Sequence, residues 1–241
     1  MHLWYLNKYS HIFDKAIFVI SLKENDEELI IDTKINILKN LHVNDVEFKV
    51  IKDNDLHESG AFKTEVIDKL DSIDGLVFCA HTKGISNFGK YNEESIKLWI
   101  SSLWYYNLEH VYDVVNELVY HERKALYGAY LLDDRIDKIV KFNKNNCWYA
   151  GNFYWINAGK LKYDIDNINN SMLTRCYSKY FFEKFPGEVY NIEKLGSFEN
   201  KSVRTSKFHT YFCKIEDVVN YFGDNEKFKE QFYFMKNELC I

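Results

Sequence analysis

The chain has 241 residues, enough for one sizeable domain or two small ones, and its formal net charge is −5. The acidic balance and the lack of long basic runs argue against nucleic acid as a main partner. No stretch approaches the roughly 18 apolar residues of a transmembrane segment, and residues 1–15 show no signal-peptide pattern. Five scattered cysteines without CxxC spacing indicate reduced thiols, so we expect a cytoplasmic protein.

The first part of the chain alternates strand and helix patterns. Residues 15–22 form an apolar run typical of a strand, and residues 24–41 begin with acidic side chains and then place apolar ones at helical spacing. Residues 47–53 alternate like a strand, residues 62–73 read as an amphipathic helix, and residues 75–80 read as a third strand. The order β-α-β-α-β predicts an α/β fold with a mainly parallel sheet flanked by helices.

The patterns become more aromatic in the second part. They predict a long helix at 92–121, a strand at 124–132, an aromatic strand or strand–turn at 147–157, and helices at 171–185 and 224–239. No linker or repeat interrupts them. We expect one domain over residues 1–195, with a C-terminal helical extension at 196–241 that packs on the same domain.

The first polar motif is His81-Thr82-Lys83-Gly84, directly after the third predicted strand. Open parallel sheets bind ligands outside the carboxyl ends of their strands. Lysine is a compact cation suited to phosphate, histidine donates hydrogen bonds or transfers protons, and glycine lets a backbone approach a ligand. The alternative is an ordinary strand-to-loop exit with a solvated lysine.

A pair of carboxylates, Asp133 and Asp134, follows the predicted strand at 124–132. Adjacent carboxylates at a strand end can hold Mn²⁺ or Mg²⁺ against a diphosphate. The alternative is a solvated turn in which Arg135 pairs with one of the acids.

The second motif is Gly151-Asn152-Phe153-Tyr154-Trp155. Its aromatic rings can form a platform for a sugar face, with the asparagine bonding a hydroxyl. The alternative is a core strand whose rings fill space.

Arg175 and Glu183 stand two helical turns apart in the predicted helix at 171–185, which Pro186 and Gly187 end. They form either part of a site or an exposed ion pair. The P-loop and the GxGxxG, GxSxG and reactive-cysteine patterns are absent from the sequence, which lowers the support for several other enzyme classes.

Taken together, these motifs resemble a group of glycosyltransferase-like proteins from bacterial polysaccharide gene clusters and large viruses. The pattern there reads approximately H-T-K-G, then G-N-F-W-W, then an R…E segment. His81 to Gly84 match the first motif and Gly151 to Trp155 the second, with Tyr154 in place of the usual tryptophan. The match at Arg175 and Glu183 is looser, and the resemblance covers about residues 1 to 190.

The resemblance implies a Rossmann-like glycosyltransferase A-type fold, a nucleotide-sugar donor, and a glycan or other hydroxyl acceptor. We expect Ser21 and Asp53 near the nucleoside, and His81, Thr82, Lys83 and Gly84 around the diphosphate. His81 is also an expected catalytic residue, because with Lys83 it would neutralise the diphosphate as it leaves. Further expected roles are acceptor binding by Gly151, Asn152, Phe153, Tyr154, Trp155 and Arg175, proton abstraction by Glu183 or Asp134, and metal binding by Asp133 and Asp134.

Two other functions remain open from sequence. One is a non-catalytic nucleotide- or glycan-binding module of the same fold, because fold alone does not give function. The other is a nucleotidyltransferase, which would also place phosphate-binding groups at a strand end.

Overall fold

A computed structural model of the chain describes residues 1–22, 26–52, 61, 64–82, 89, 92–121, 125–133, 147–149, 153–165, 195–197, 214–222 and 226–239. The protein is mixed α/β. The helices, in chain order, are α1 His2–Tyr9, α2 Glu27–Leu38, α3 Glu93–Leu108, α4 Val111–Val115, α5 Ala158–Ile165, α6 Ile215–Phe222 and α7 Glu226–Glu238. The strands are β1 Lys15–Leu22, β2 Asp45–Lys52, β3 Leu76–Cys79, β4 Leu126–Gly128, β5 Leu131–Asp133, β6 Cys147–Tyr149, β7 Tyr154–Asn157 and β8 Leu195–Ser197.

The parallel pair β1 and β2, joined by α2, confirms the first predicted β-α-β unit. Helix α2 starts where Asp26 accepts a hydrogen bond from the Leu29 amide at 3.0 Å, as an N-cap residue does. The Phe18 and Phe48 rings of the two strands stack with centroids 5.4 Å apart, and Lys34 Nζ of α2 lies 5.7 Å from the Phe48 ring centroid. Helix α2 therefore lies over the face of the sheet that carries Phe48.

The expectation of a mainly parallel sheet is wrong for the remaining described strands. Four of them form a sheet in the order β3-β7-β4-β8, in which β7 runs antiparallel to both of its neighbours and only β4 and β8 are parallel. Strands β5 and β6 form a separate antiparallel pair. The physical reason is that β3 takes the aromatic strand β7 as its partner, so the helix-crossover pattern of the first unit does not continue.

Helix α3 is the centre of the hydrophobic core. It begins at the N-cap Asn92, whose side chain accepts from the Ser95 amide at 3.1 Å. Thirteen of its sixteen residues are buried. Rings from α1, β3, α6, α7 and the residue before β7 pack around it, namely Tyr5, Phe78, Phe222, Phe228 and Phe153.

The helix predicted at 92–121 is correct in its start and interrupted in its course. Helix α3 ends at Leu108, α4 covers Val111–Val115, and Asn116–Tyr120 is a π-helical turn. A break follows Leu108, where Glu109 caps the helix and its side chain bonds to Tyr9. Helical periodicity alone does not reveal that α3 ends at Leu108, where Glu109 makes its tertiary contacts.

The strand predicted at 124–132 is two strands, β4 and β5. Tyr130 lies between them with φ of +57°, a left-handed conformation that bulky side chains rarely adopt. Its ring stacks on Trp99 at 4.8 Å, and its hydroxyl donates to Ser102 Oγ at 2.8 Å. These contacts hold the strained residue in place and turn the chain into a different sheet.

The amphipathic helix predicted at 62–73 is, over Ile67–Ser72, a 3₁₀ segment. Ser72 Oγ donates to the Lys69 carbonyl at 2.8 Å, a local side-chain bond of the kind that competes with regular helix. The C-terminal helix predicted at 224–239 is confirmed as α7. The helix predicted at 171–185 lies outside the described residues.

Candidate functional site

The end of β3 and the start of β7 lie side by side. The two strands pair antiparallel with Cys79 opposite Tyr154, so His81, two residues beyond β3, is close to Phe153, the residue before β7. The centroids of the His81 and Phe153 rings are 6.0 Å apart. His81 is half-buried and Thr82 is exposed.

This pairing brings together two of the motifs that the sequence singles out. One contributes His81 and Thr82, and the other contributes Phe153 and the residues of β7. Lys83, Gly84, Gly151 and Asn152, which complete the two motifs, lie outside the described residues. A site built from both motifs is therefore compatible with the strand register.

The aromatic residues of the second motif are largely committed to the core. Phe153, Tyr154 and Trp155 are all buried. The Phe153 ring meets Trp104 edge-on at 5.3 Å, and the Trp155 ring lies 4.9 Å from Phe78. This burial favours the packing interpretation of the three rings over a solvent-facing platform.

Strand β7 also satisfies the ends of two helical segments. Trp155 Nε1 donates to the Asn107 carbonyl at 2.8 Å, and Asn157 Nδ2 donates to the Leu118 carbonyl at 2.7 Å. Carbonyls in the last turn of a helix have no partner within the helix, so bonds of this kind stabilise the helix end. The tryptophan thus has a structural role that fixes β7 against α3.

The other predicted donor-binding residues lie at the first parallel pair. Ser21 is exposed near the carboxyl end of β1 and is in register with Ile51 of β2. Asp53, which follows β2, lies outside the described residues. Among the described strands, no hydrogen-bonded ladder joins β1 to β3, so the register does not by itself connect Ser21 with His81.

The predicted metal ligands and bases are described only in part. Asp133 is the last residue of β5 and pairs in register with Cys147 of β6, whereas Asp134 lies outside the described residues. Arg175 and Glu183 lie outside them as well. In the part of the chain that the structure describes, no group of three or more histidine, cysteine or acidic side chains is placed to hold a metal ion.

A polar cluster that the sequence analysis did not find joins α1, α3 and α7. Tyr9 Oη donates to Glu109 Oε2 at 2.5 Å, Lys8 Nζ lies 3.5 Å from the same oxygen, and Gln231 Nε2 donates to Tyr9 Oη at 2.9 Å. The helical spacing of Tyr5 and Tyr9 was the one local signal that α1 has a buried face. The partners come from segments far apart in sequence, which spacing cannot reveal.

Burial sets the protonation of this cluster. It raises the pKa of the Tyr9 phenol, and the hydrogen bond to Glu109 and its negative charge raise that pKa further. Burial also raises the pKa of Tyr5 and lowers that of the Lys8 ammonium, an effect that Glu109 opposes. Tyr9 is therefore held as a neutral hydrogen-bond donor, and the cluster serves to connect three helices.

Comparisons with protein-family models, with curated proteins and with solved structures find no match to this chain. Among the helices of the described residues, none combines the length and apolarity needed to cross a bilayer.

Proposed function

We propose that this protein is a glycosyltransferase of the A-type fold that moves a sugar from a nucleotide-sugar donor to a hydroxyl acceptor. The observation that carries the proposal is the pairing of β3 with β7, which sets His81 beside Phe153. The proposed donor motif and the proposed acceptor motif belong to these two neighbouring segments. A transfer site needs both substrates next to each other, and the pairing of the two segments supports this part of the proposal.

The parallel β1-α2-β2 unit supports the nucleotide-binding part of the proposal. Rossmann-like domains begin with such a unit and bind nucleotides beyond the carboxyl ends of its strands. Ser21 and Asp53 occupy that position in the sequence of the unit and are the proposed contacts to the nucleoside.

The leaving diphosphate is the group whose stabilisation matters most, because negative charge develops on it during transfer. In our proposal Lys83 neutralises that charge and His81 donates a hydrogen bond, while Thr82 and Gly84 shape the loop. Asp133 and Asp134 supply the oxygen ligands that Mn²⁺ or Mg²⁺ prefers, and a bound ion would share the neutralisation.

The burial of β7 changes which residues we propose as contacts to the acceptor. Because Phe153 and Trp155 pack in the core, their proposed role is to position the segment rather than to stack on a sugar. Tyr154 is buried as well and shares this positioning role, so the proposed acceptor contacts are Gly151, Asn152 and Arg175. Glu183, with Asp134 as the second candidate, takes the proton of the attacking hydroxyl.

The proposal predicts a large effect of Lys83→Ala on turnover. Loss of one electrostatic contact to a developing charge lowers kcat by about tenfold to a thousandfold. Lys229→Ala, which removes a cation from α7, is the matched control and should leave turnover unchanged. Equal turnover of Lys83→Ala and the wild type would exclude the diphosphate role.

The donor can be found with a thermal-shift panel of UDP-, GDP-, CMP- and dTDP-sugars, each with and without Mn²⁺. A ligand that binds only the folded state raises Tm. At a ligand concentration of a hundred times Kd, it adds about 2.7 kcal/mol to the free energy of unfolding. We expect one nucleotide class to stabilise the protein. A flat panel would contradict the proposal.

The burial of Phe153 and Trp155 also favours a second candidate, a binding module of the same fold, because packing alone then explains much of the second motif. The two functions separate in one assay. A nucleotide sugar that raises Tm but is neither hydrolysed nor transferred identifies the binding module. Consumption of a nucleoside triphosphate instead identifies a nucleotidyltransferase.

A further inference from the structure

Helix α2 presents an apolar stripe to solvent. Ile31, Ile35 and Leu38 are spaced four and three residues apart and lie on one side of the helix, with exposed fractions of 55 %, 43 % and 51 %. The side of α2 that carries Ile30, about 100° around the helix from this stripe, packs on the protein. Three large apolar residues in one exposed row form a contiguous patch of the kind that marks an interaction site.

The outer charges of α2 have opposite signs at its two ends, and Asp32 lies between them on the same flank of the helix. Asp26, Glu27 and Glu28 lie at its start, and Lys39 caps its end. At 100° per residue, Glu28 and Lys39 fall on the same flank of the apolar stripe, one at each end of it. Both are exposed.

We propose that α2 is a homodimer interface, in which two copies of the helix pack antiparallel about a two-fold axis near Ile35. A second copy fits because the surface is complementary to itself. Antiparallel pairing sets Ile31 of one copy against Leu38 of the other and Ile35 against its own equivalent. The two-fold axis keeps a given flank facing the same flank, so Glu28 of each copy meets Lys39 of the other.

The size of the patch sets the expected strength. A helix of twelve residues is about 18 Å long, so the contact is smaller than the standard protein–protein interface. We therefore expect a reversible dimer with Kd on the order of micromolar, dominated by the central isoleucine pair. This interface is distinct from the proposed substrate site on β3 and β7 and does not depend on it.

The first test is sedimentation equilibrium on the full chain between about 1 and 200 µM, a range that brackets a Kd on the order of micromolar. The wild type should pass from monomer to dimer over this range. Ile35→Asp, which sets two carboxylates face to face at the axis, should weaken the dimer at least tenfold. Leu29→Asp is the matched control, because Leu29 is equally apolar and 49 % exposed but lies on another side of α2. It should leave the dimer intact.

The second test swaps the charges. Glu28→Lys and Lys39→Glu should each weaken the dimer by about three- to tenfold, because each sets like charges together at both ends of the interface. The double variant should bind more tightly than either single variant but less tightly than the wild type, because Asp32 on the same flank stays acidic. Both changes oppose the helix dipole, so the double variant has the less stable helix, and a partly restored dimer cannot come from helix stability. Circular dichroism confirms that each variant is folded.

A wild type that stays monomeric over the whole range overturns the proposal and leaves the stripe to a different partner. A dimer that Ile35→Asp weakens no more than Leu29→Asp places the interface elsewhere and overturns it equally. A double charge variant that associates more weakly than either single variant excludes the antiparallel arrangement.

Discussion

Helices α2 and α3 begin in the same way and end in different environments. Each starts at a side-chain cap, Asp26 or Asn92, that accepts a hydrogen bond from the amide three residues on, and each has two glutamates in its first turn. Yet α2 buries one residue of twelve and α3 buries thirteen of sixteen. Local signals determine where a helix starts. The elements packed around the helix determine how many of its residues are buried and so contribute to the free energy of unfolding.

The contrast predicts that stability is concentrated at α3. Trp104 contacts α1, β3 and β7, and its Nε1 donates to His2 Nδ1 at 2.9 Å. Trp104→Ala should lower the free energy of unfolding by about 3–5 kcal/mol, because it leaves a large cavity. Leu29→Ala on α2 should lower it by less than about 0.5 kcal/mol. Urea unfolding measures both, and equal costs would contradict the contrast.

A smaller effect is expected where β7 meets the end of α3. Trp155→Phe removes the donor to the Asn107 carbonyl and leaves a buried acceptor unpaired, so it should cost about 1–3 kcal/mol of stability. In the assay that tests the proposed sugar transfer, KM for the acceptor should stay nearly unchanged if the tryptophan only positions β7. A large rise in that KM without loss of stability would instead assign Trp155 to acceptor binding.

The polar cluster at the end of α3 predicts a dependence on pH. Tyr9→Phe should lower stability at pH 7 by about 1–2 kcal/mol, because Glu109 loses a buried donor. An unfolded tyrosine ionises near pH 10, and the folded Tyr9 has a raised pKa, so the unfolded chain releases this proton first as pH rises. The wild type should therefore lose stability above about pH 10, at up to about 1.4 kcal/mol per pH unit from this residue.

Tyr9→Phe lacks the phenol proton. The difference in unfolding free energy between this variant and the wild type should therefore shrink between about pH 10 and 11. Urea unfolding of both proteins at pH 7, 9, 10.5 and 11 measures the change. A difference that stays constant above pH 10 would show that the phenol is not protected in the folded protein.

The smallest expected effect concerns the N-cap hydrogen bonds, which α2 and α3 have in common. Asp26→Ala and Asn92→Ala each remove a cap bond, at 3.0 and 3.1 Å, and each should cost about 0.5–1 kcal/mol. Similar values would show that the caps act locally. A cost at Asn92 several times that at Asp26 would mean that the core adds to the cap of α3.

Local pattern was sufficient for β1, α2, β2, β3, α7 and the start of α3. In these elements apolar spacing and caps agree with the final environment, as the Asp26 and Asn92 bonds illustrate. The segment predicted at 147–157 as an aromatic strand or strand–turn contains two strands, β6 and β7, and burial favours the packing role of its rings at 153–155.

Non-local contacts explain what the sequence did not reveal. Strand β3 pairs antiparallel with a segment about eighty residues away, and nothing in either pattern specifies that choice. Tyr130 has a left-handed backbone because Trp99 and Ser102 hold its side chain, so a continuous apolar run becomes two strands. Helix α1 is short and acquires its partners from α3 and α7, so its own sequence carries a weak signal.

The cluster around Tyr9 has a consequence for how the chain folds. Tyr9 and Gln231 are 222 positions apart, and Phe228, Phe232 and Met235 of α7 belong to the same core as α1 and α3. Contacts between such distant segments require large loops to close, which slows folding. During synthesis the apolar face of α3 therefore cannot be fully buried before α7 has emerged from the ribosome. Until then it is exposed to chaperones and to misassociation with other chains.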